Sequence, residues 1–280
     1  MATKALVVGG TGGIGYAIAC RVAANPASSV IVSGRTKPKD FPHNNMEFRA
    51  LDASSMRSIK QYTDQFKLDK DNNPNLDLLV LSQGIFTTAG RTETPEKIDR
   101  KMALHYYGRQ LLIRELLPVL KEDAKVLIVL DSTRGDPAKL NWEDLDLKTH
   151  FSLSNTATHC VTMTDAMIQA YSTQQKGQSG IRRHFIHAAP GIVKTDIYDT
   201  LPWYQRVGLR GLSNVLGVSP ETCAENLLKG TYESAASREK EDKFWSCIDG
   251  KGHAVPNKPT WTAEQIQLVV DHTWRIVDNA

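Results

Sequence analysis

The clearest chemistry in this chain lies near its start, in Gly9-Gly10-Thr11-Gly12-Gly13-Ile14-Gly15. The segment follows an apolar, strand-like run, Ala5 to Val8, and leads into helix-like Tyr16-Ala17-Ile18-Ala19. Glycines let a backbone turn sharply and approach a ligand closely, and a helix N-terminus offers unpaired N–H groups and positive potential. Glycine clusters also serve ordinary tight turns. Here their place at a strand-to-helix junction points to a loop that cradles a dinucleotide pyrophosphate, with Gly9, Thr11, Gly12, Gly13, Ile14 and Gly15 against it. A fold selective for NAD places an acid about 20 residues further on, against the ribose 2′-hydroxyl. The corresponding stretch, Ser33-Gly34-Arg35-Thr36-Lys37, contains none. Arginine offers a fork of donors suited to a 2′-phosphate, so Arg35, helped by Lys37, favours NADP(H) over NAD(H).

The elements that must hold this loop alternate along the chain. Ala5 to Val8, Val30 to Ser33, Met46 to Ala50, Leu76 to Leu81, Lys125 to Leu130 and His184 to Ala188 read as strands. Between them, Ile14 to Ala24, Ser54 to Phe66, Pro95 to Leu120 and Asn155 to Ser172 read as helices. Runs as apolar as Leu76 to Leu81 suit a parallel sheet covered on both faces, and the alternation predicts a doubly wound α/β (Rossmann) fold. After about Asp196 the pattern changes. Leu201 to Tyr204 and Leu209 to Val218 are apolar, the latter broken by glycines, and a helix near Pro220, a strand around Phe244 to Ile248 and a last helix, Thr262 to Val277, complete the chain. No linker sets this tail apart. The expectation is one domain over 1–280, with a cofactor-binding core at 1–195 and a C-terminal extension at 196–280 that caps the crevice or extends the core.

Composition narrows the function. Thirty-four basic and 31 acidic side chains leave a net charge of +3, too balanced for a nucleic-acid or anionic-membrane binder. The longest apolar runs fall far short of the roughly 20 residues of a membrane span. Four cysteines, Cys20, Cys160, Cys223 and Cys247, are widely spaced, which argues against a disulfide framework or zinc site and fits a reducing, cytoplasmic setting. The start enters a strand-like run at once, so no leader is expected. His184 and His187 would point to opposite faces of a strand, so no metal site is expected there.

The spacing Gly9-x-x-x-Gly13-x-Gly15 resembles the glycine motif of the short-chain dehydrogenase/reductase superfamily. Further pieces match in order from Leu6 to about Thr195. Asp52 sits where that family places an aspartate beside the adenine. Ser82-Gln83-Gly84 is similar to its Asn-Ala-Gly, and Pro190-Gly191-Ile192-Val193-Lys194-Thr195 to the segment that cradles nicotinamide. The resemblance thus adds Asp52, Gln83, Gly84, Pro190, Gly191, Ile192 and Thr195 as cofactor contacts. The tail is loosely similar to the retinol-dehydrogenase-like branch, and Ser152 to Asp165 to fungal members, many of which serve small-molecule biosynthesis. Family members often pair through the helix at Pro95 to Leu120, which implies a homodimer or homotetramer.

The family's proton machinery does not carry over. It uses a tyrosine, a lysine four residues on, a serine that holds the substrate oxygen, and an asparagine that completes a water relay. None of the eight tyrosines is followed four positions later by lysine. One register places Leu153 and Ala157 at the pair, and another places Phe151 and Asn155. His105 stands at the asparagine, where it could move a proton near neutral pH or make a structural hydrogen bond. Ser132 matches the serine, to orient a substrate or to cap a turn. Asp131, Arg134, His159 and Asp165 read as surface or capping groups.

Three functions fit these residues. The leading one is an NADP(H)-dependent reductase with a rearranged proton source, with Ser132 and His105 as its catalytic candidates. Its substrate would be a small, mostly hydrophobic carbonyl, imine, iminium or activated alkene. The second is a non-redox cyclase, isomerase or lyase using the same crevice, which apolar Leu153 and Ala157 would enlarge and dry. The third is a scaffold that senses NADP.

Overall fold

Apolar runs that are continuous rather than helically periodic form the strands of one sheet. The structure is a computed structural model that describes residues 2–68, 76–178, 180–197, 201 and 203–280. Its strands are β1 (Lys4–Val8), β2 (Ser29–Gly34), β3 (Met46–Ala50), β4 (Leu76–Leu81), β5 (Leu120–Val129), β6 (His184–Ala188) and β7 (Trp245–Ile248). They lie in the order β3-β2-β1-β4-β5-β6-β7, every neighbouring pair parallel. Helices α1 (Gly13–Ala23) and α7 (Pro220–Glu239) cover one face, meeting Val7, Val80, Leu127 and Ile186. The other face, with Leu6, Leu79, Val126 and Phe185, packs under α2 (Met56–Leu68), α4 (Gly108–Leu116), α5 (Leu153–Gln174) and α8 (Ala263–Asp278). The chain order turns back between β1 and β4, which in an open α/β sheet is where a crevice opens at the carboxyl ends of the strands.

The single helix expected over Pro95 to Leu120 is instead several pieces. Asp99 caps the chain by accepting from the N–H groups of Lys101 and Met102, so helix begins only at α3 (Arg100–Met102). A π-helical turn, Ala103–Tyr107, then leads into α4, and Pro118 sits in a short turn before β5. Both Tyr106 and Tyr107 are fully buried, with hydroxyls on Thr273 at 2.6 Å and on His272 Nε2 at 2.8 Å. Arg114 adds an ion pair to Asp278 at 2.7 Å and lies over the Trp274 ring. The segment through which the family resemblance implied pairing is therefore packed against this chain's own α8.

The glycine-broken run at Leu209 to Val218 falls largely within a further helix, α6 (Trp203–Leu216). Its exit is tied to the Pro190 segment, with Lys194 N–H donating to Val218 O and Val218 N–H to Ile192 O, both at 3.0 Å. Pro202, in the apolar stretch read after Asp196, lies outside the described residues. Among the described residues no helix is long and apolar enough to cross a membrane.

Candidate functional site

The β1–α1 loop is shaped by two glycines that nothing larger could replace. Gly9 has φ +80°, and a Cβ there would lie 2.4 Å from Gln83 N; a Cβ on Gly15 would lie 2.2 Å from Ser82 Oγ. These contacts press the loop against the end of β4. Gly12, by contrast, faces open space, with nothing within 4 Å of a built Cβ. It is the N-cap of α1, and it gives the helix no side-chain cap; the first turn has no acid either. The leading N–H groups of α1 thus point into the crevice without a side-chain partner, the arrangement that receives a phosphate.

A cavity of about 340 Å³ runs along this loop. Of the residues read from the sequence as cofactor contacts, Gly9, Thr11, Gly12, Gly13, Ile14, Gly15, Arg35, Asp52, Gln83, Gly84 and Thr195 line it. Pro190, Gly191 and Ile192 are outside that lining and lead into it at Thr195. Arg35 is exposed at the end of β2. Asp52 accepts from Ser54 Oγ at 2.6 Å. Partial burial works to raise its pKa, yet those hydrogen bonds, with the guanidinium charges of Arg35 and Arg100, hold the carboxyl below its ordinary value. Sequence reading missed Ser54 and Arg100. Arg100 reaches the crevice from α3, and no spacing from the glycines signals it. These residues fit a dinucleotide: a glycine cradle and bare helix terminus for phosphates, and cations with a carboxylate at one end.

The comparisons agree with that geometry. Residues 3–141 match the short chain dehydrogenase family. The chain is 32% identical over 205 residues to an oxidoreductase of Emericella nidulans, covering 69% of this chain and 59% of that protein. Among solved structures, a short chain dehydrogenase family protein from Francisella tularensis superposes with TM-score 0.63 at 20% identity, over 89% of this chain and 98% of that one. An NADPH-bound carbonyl reductase from chicken fatty liver gives TM-score 0.62 at 16% identity, over 93% and 99%. The chain belongs to the short-chain dehydrogenase/reductase superfamily. It spans about three fifths of the length of the Emericella relative.

The structure places each residue that the sequence matched to the superfamily's proton-handling positions. His105 lies in the π-helical turn, its Nε2 3.2 Å from Ile85 N and 3.0 Å from Ile85 O. Burial, with the nearby Arg109 charge, pushes its pKa down to about 4, so the ring is neutral at neutral pH. Its Cε1 lies 3.1 Å from a Cβ built on Gly84, so it props the β4 exit from beneath. Ser132 is fully buried, and its Oγ donates to Ile248 O at 2.6 Å, which joins the β5 exit to the end of β7. That hydroxyl is committed to the fold rather than held out to a substrate. Of the residues that the two registers match to the tyrosine and lysine, Leu153 is 40% exposed at the start of α5, Ala157 is exposed one turn on, and Phe151 faces the Lys101 ammonium. Asn155 donates to His150 O. None of these four side chains can carry a proton.

Asp131 and Arg134 form an exposed pair, as read. His159 and Asp165 do not lie at the surface. His159 bonds Asn141 N and Leu145 O from the interior. Asp165, 1% exposed, meets His187 Nδ1 at 2.7 Å, Cys247 Sγ at 3.4 Å and the Lys258 ammonium. Burial works to raise its pKa, but the bond and charge of His187 and the Lys258 charge outweigh it and hold the carboxyl low. His184 turns to the other side of the sheet, onto Ser246 Oγ. The carboxylate, imidazole and thiol lie within 4.8 Å of one another, a set of metal-ligand types. Lys258 already supplies their cation, and its Nζ also donates to Ser132 O at 2.8 Å. Asp165 is separated from its partners by 22 and more residues, so no motif spacing could have revealed the cluster.

Proposed function

We propose that this protein is an NADP(H)-dependent reductase that works without the tyrosine–lysine proton relay of its superfamily. Its substrate is a small, mostly hydrophobic carbonyl, iminium or activated alkene, and a role in small-molecule biosynthesis in the cytoplasm fits such chemistry. The observation that carries the reading is the crevice itself: a glycine cradle at an uncapped helix terminus, with Arg35 and no acid at the end of β2. The NADPH held by the chicken carbonyl reductase on the same fold supports it. Bound cofactor would supply the hydride, and the protein binds and orients. His105 stays neutral and tied to Ile85, and Ser132 is tied to Ile248, so neither is a strong proton source. That favours a substrate already cationic or strongly polarised, which needs little proton help. The cofactor-binding core at 1–195 is extended by residues 196–280, of which Asp196 and Ile197 reach the crevice.

Titration with NADPH and with NADH, followed by energy transfer from the five tryptophans, tests the reading. Wild-type protein should prefer NADPH. Arg35→Ala should weaken NADPH about tenfold or more, as expected for one charge-assisted phosphate contact, and leave NADH nearly unchanged. Equal loss for both would sink the cofactor assignment. Turnover without change in nicotinamide absorbance would favour the non-redox reading, which the same loss of proton groups also permits.

A further inference from the structure

Gln83 follows β4 at a position where its backbone is locked. Arg109, itself fully buried, donates to Gln83 O at 2.5 Å and to Val129 O at 2.8 Å, stapling the ends of β4 and β5 together. Gln83 is 6% exposed and is among the residues that line the crevice, with both polar atoms of its carboxamide buried. Among the described residues neither its Oε1 nor its Nε2 has a hydrogen-bond partner. His105 Nδ1, beside Gly84, and Arg109 Nε are also buried without one. Burying a carboxamide with both ends unpaired costs free energy that folding does not recover. A buried unpaired group in a residue that lines a ligand crevice calls for an explanation, and a contact completed on binding supplies one.

The sheet order fixes which part of a dinucleotide it faces. Arg35 and Asp52 follow β2 and β3, on one side of the glycine loop that follows β1. Gln83 follows β4, on the opposite side, towards the strands that lead to Ser132 and Thr195. With the adenosine end at Arg35 and the pyrophosphate at the loop, Gln83 stands at the nicotinamide half. A carboxamide presents one acceptor and two donors. A phosphate accepts only and would leave Oε1 unpaired, whereas a ribose cis-diol or an amide satisfies both ends. We infer that the Gln83 carboxamide grips a donor–acceptor pair on the nicotinamide nucleoside of the bound dinucleotide. The inference rests on the NADP(H) reading above. It gives this chain a hold on that half of the cofactor from the crevice floor, where the two matched family positions at and before the start of α5 offer only Leu153 and Ala157, or Phe151 and Asn155.

Gln83→Leu tests it, since leucine has nearly the same volume and no polar atoms. Two probes are titrated: NADPH, and 2′,5′-ADP, which carries the adenosine end and 2′-phosphate but no nicotinamide nucleoside. The variant should bind NADPH about tenfold more weakly, the loss of two neutral hydrogen bonds, and 2′,5′-ADP as the wild type does. Its melting temperature without ligand should hold or rise, because an unpaired buried amide has been removed. Unchanged NADPH affinity, or equal weakening of both probes, overturns the inference while leaving the cofactor reading intact. Wild-type protein that binds neither probe overturns both.

Discussion

Removing the Lys258 ammonium should cost this protein a large part of its stability, because it strands a buried carboxylate. Asp165 is 1% exposed and Lys258 9% at the side chain, so both charges are out of water and each exists through the other. Lys258→Met keeps the length of the stem and deletes the charge, together with the hydrogen bonds of Nζ to Ser132 O and Gly135 O. The Asp165 carboxylate then keeps His187 and Cys247 but loses its cation, and breaking one side of a buried pair costs about 3–5 kcal/mol. Unfolding entropy near 2.1 cal/mol/K per residue amounts to about 0.6 kcal/mol/K over a chain of this length, so the melting temperature should fall by about 5–8 °C. The sign with pH follows from the direction of the shift. The wild-type Asp165 carboxyl is held low, so its contribution is present above the unfolded-state value near 3.9 and is lost as pH falls through the folded one. In Lys258→Met, desolvation stands with less opposing it, and the carboxyl protonates at a higher pH than in the wild type. The gap between the two proteins should therefore be widest near pH 7 to 8, narrow as pH falls through the variant's value, and close only below the wild-type value, which lies under the ordinary 3.8. Thermal unfolding followed by circular dichroism across that range measures it. The double variant Lys258→Met/Asp165→Leu should lose less than the two single losses combined. A single variant melting within about 1 °C of wild type, or a gap constant with pH, would refute the account of Lys258 as the counter-ion.

The glycine loop gives a paired prediction. Gly15→Ala, whose Cβ would collide with Ser82 Oγ and, at 2.4 Å, with Gly9 O, should destabilise the fold and abolish NADPH binding. Gly12→Ala has open space and an extended backbone, so it should melt like wild type and weaken only the cofactor; equal melting of the two variants would contradict the packing. Acid sensitivity should have a second source in Asp144. Its carboxylate, which resists the effect of burial by accepting from the N–H groups of Lys148, Thr149 and His150 and from Thr149 Oγ1, is held far below its ordinary value. Asp144→Asn should lower stability at pH 7 and flatten its fall between about pH 5 and 2, read as melting temperature against pH.

What the sequence made legible was local. The Gly9 to Gly15 loop could be read because its turn and helix terminus are built from neighbouring residues, and alternating apolar runs gave the sheet because each strand carries its own signal. That no tyrosine is followed four positions later by lysine can be read for the same reason, being a local spacing. Roles decided by what a side chain meets across the fold were not. Ser132 kept the residue type of a substrate-holding group, but its hydroxyl is claimed by a carbonyl 116 residues away. His105 reads as a group that titrates near neutral pH only while its surroundings are unknown; burial beside Arg109 holds the ring neutral there. Asp165 read as a surface acid because its three partners come from β6, β7 and the segment after β7. The same distinction separates the two halves of the site. Cofactor recognition rests on a contiguous loop, so it survives as a pattern, whereas the proton chemistry depends on groups drawn from different helices and strands. A chain can change those groups while its motif stays intact: here the Gly9 to Gly15 loop is complete, no tyrosine is followed four residues later by lysine, and the Gln83 carboxamide is buried without a partner beside the loop.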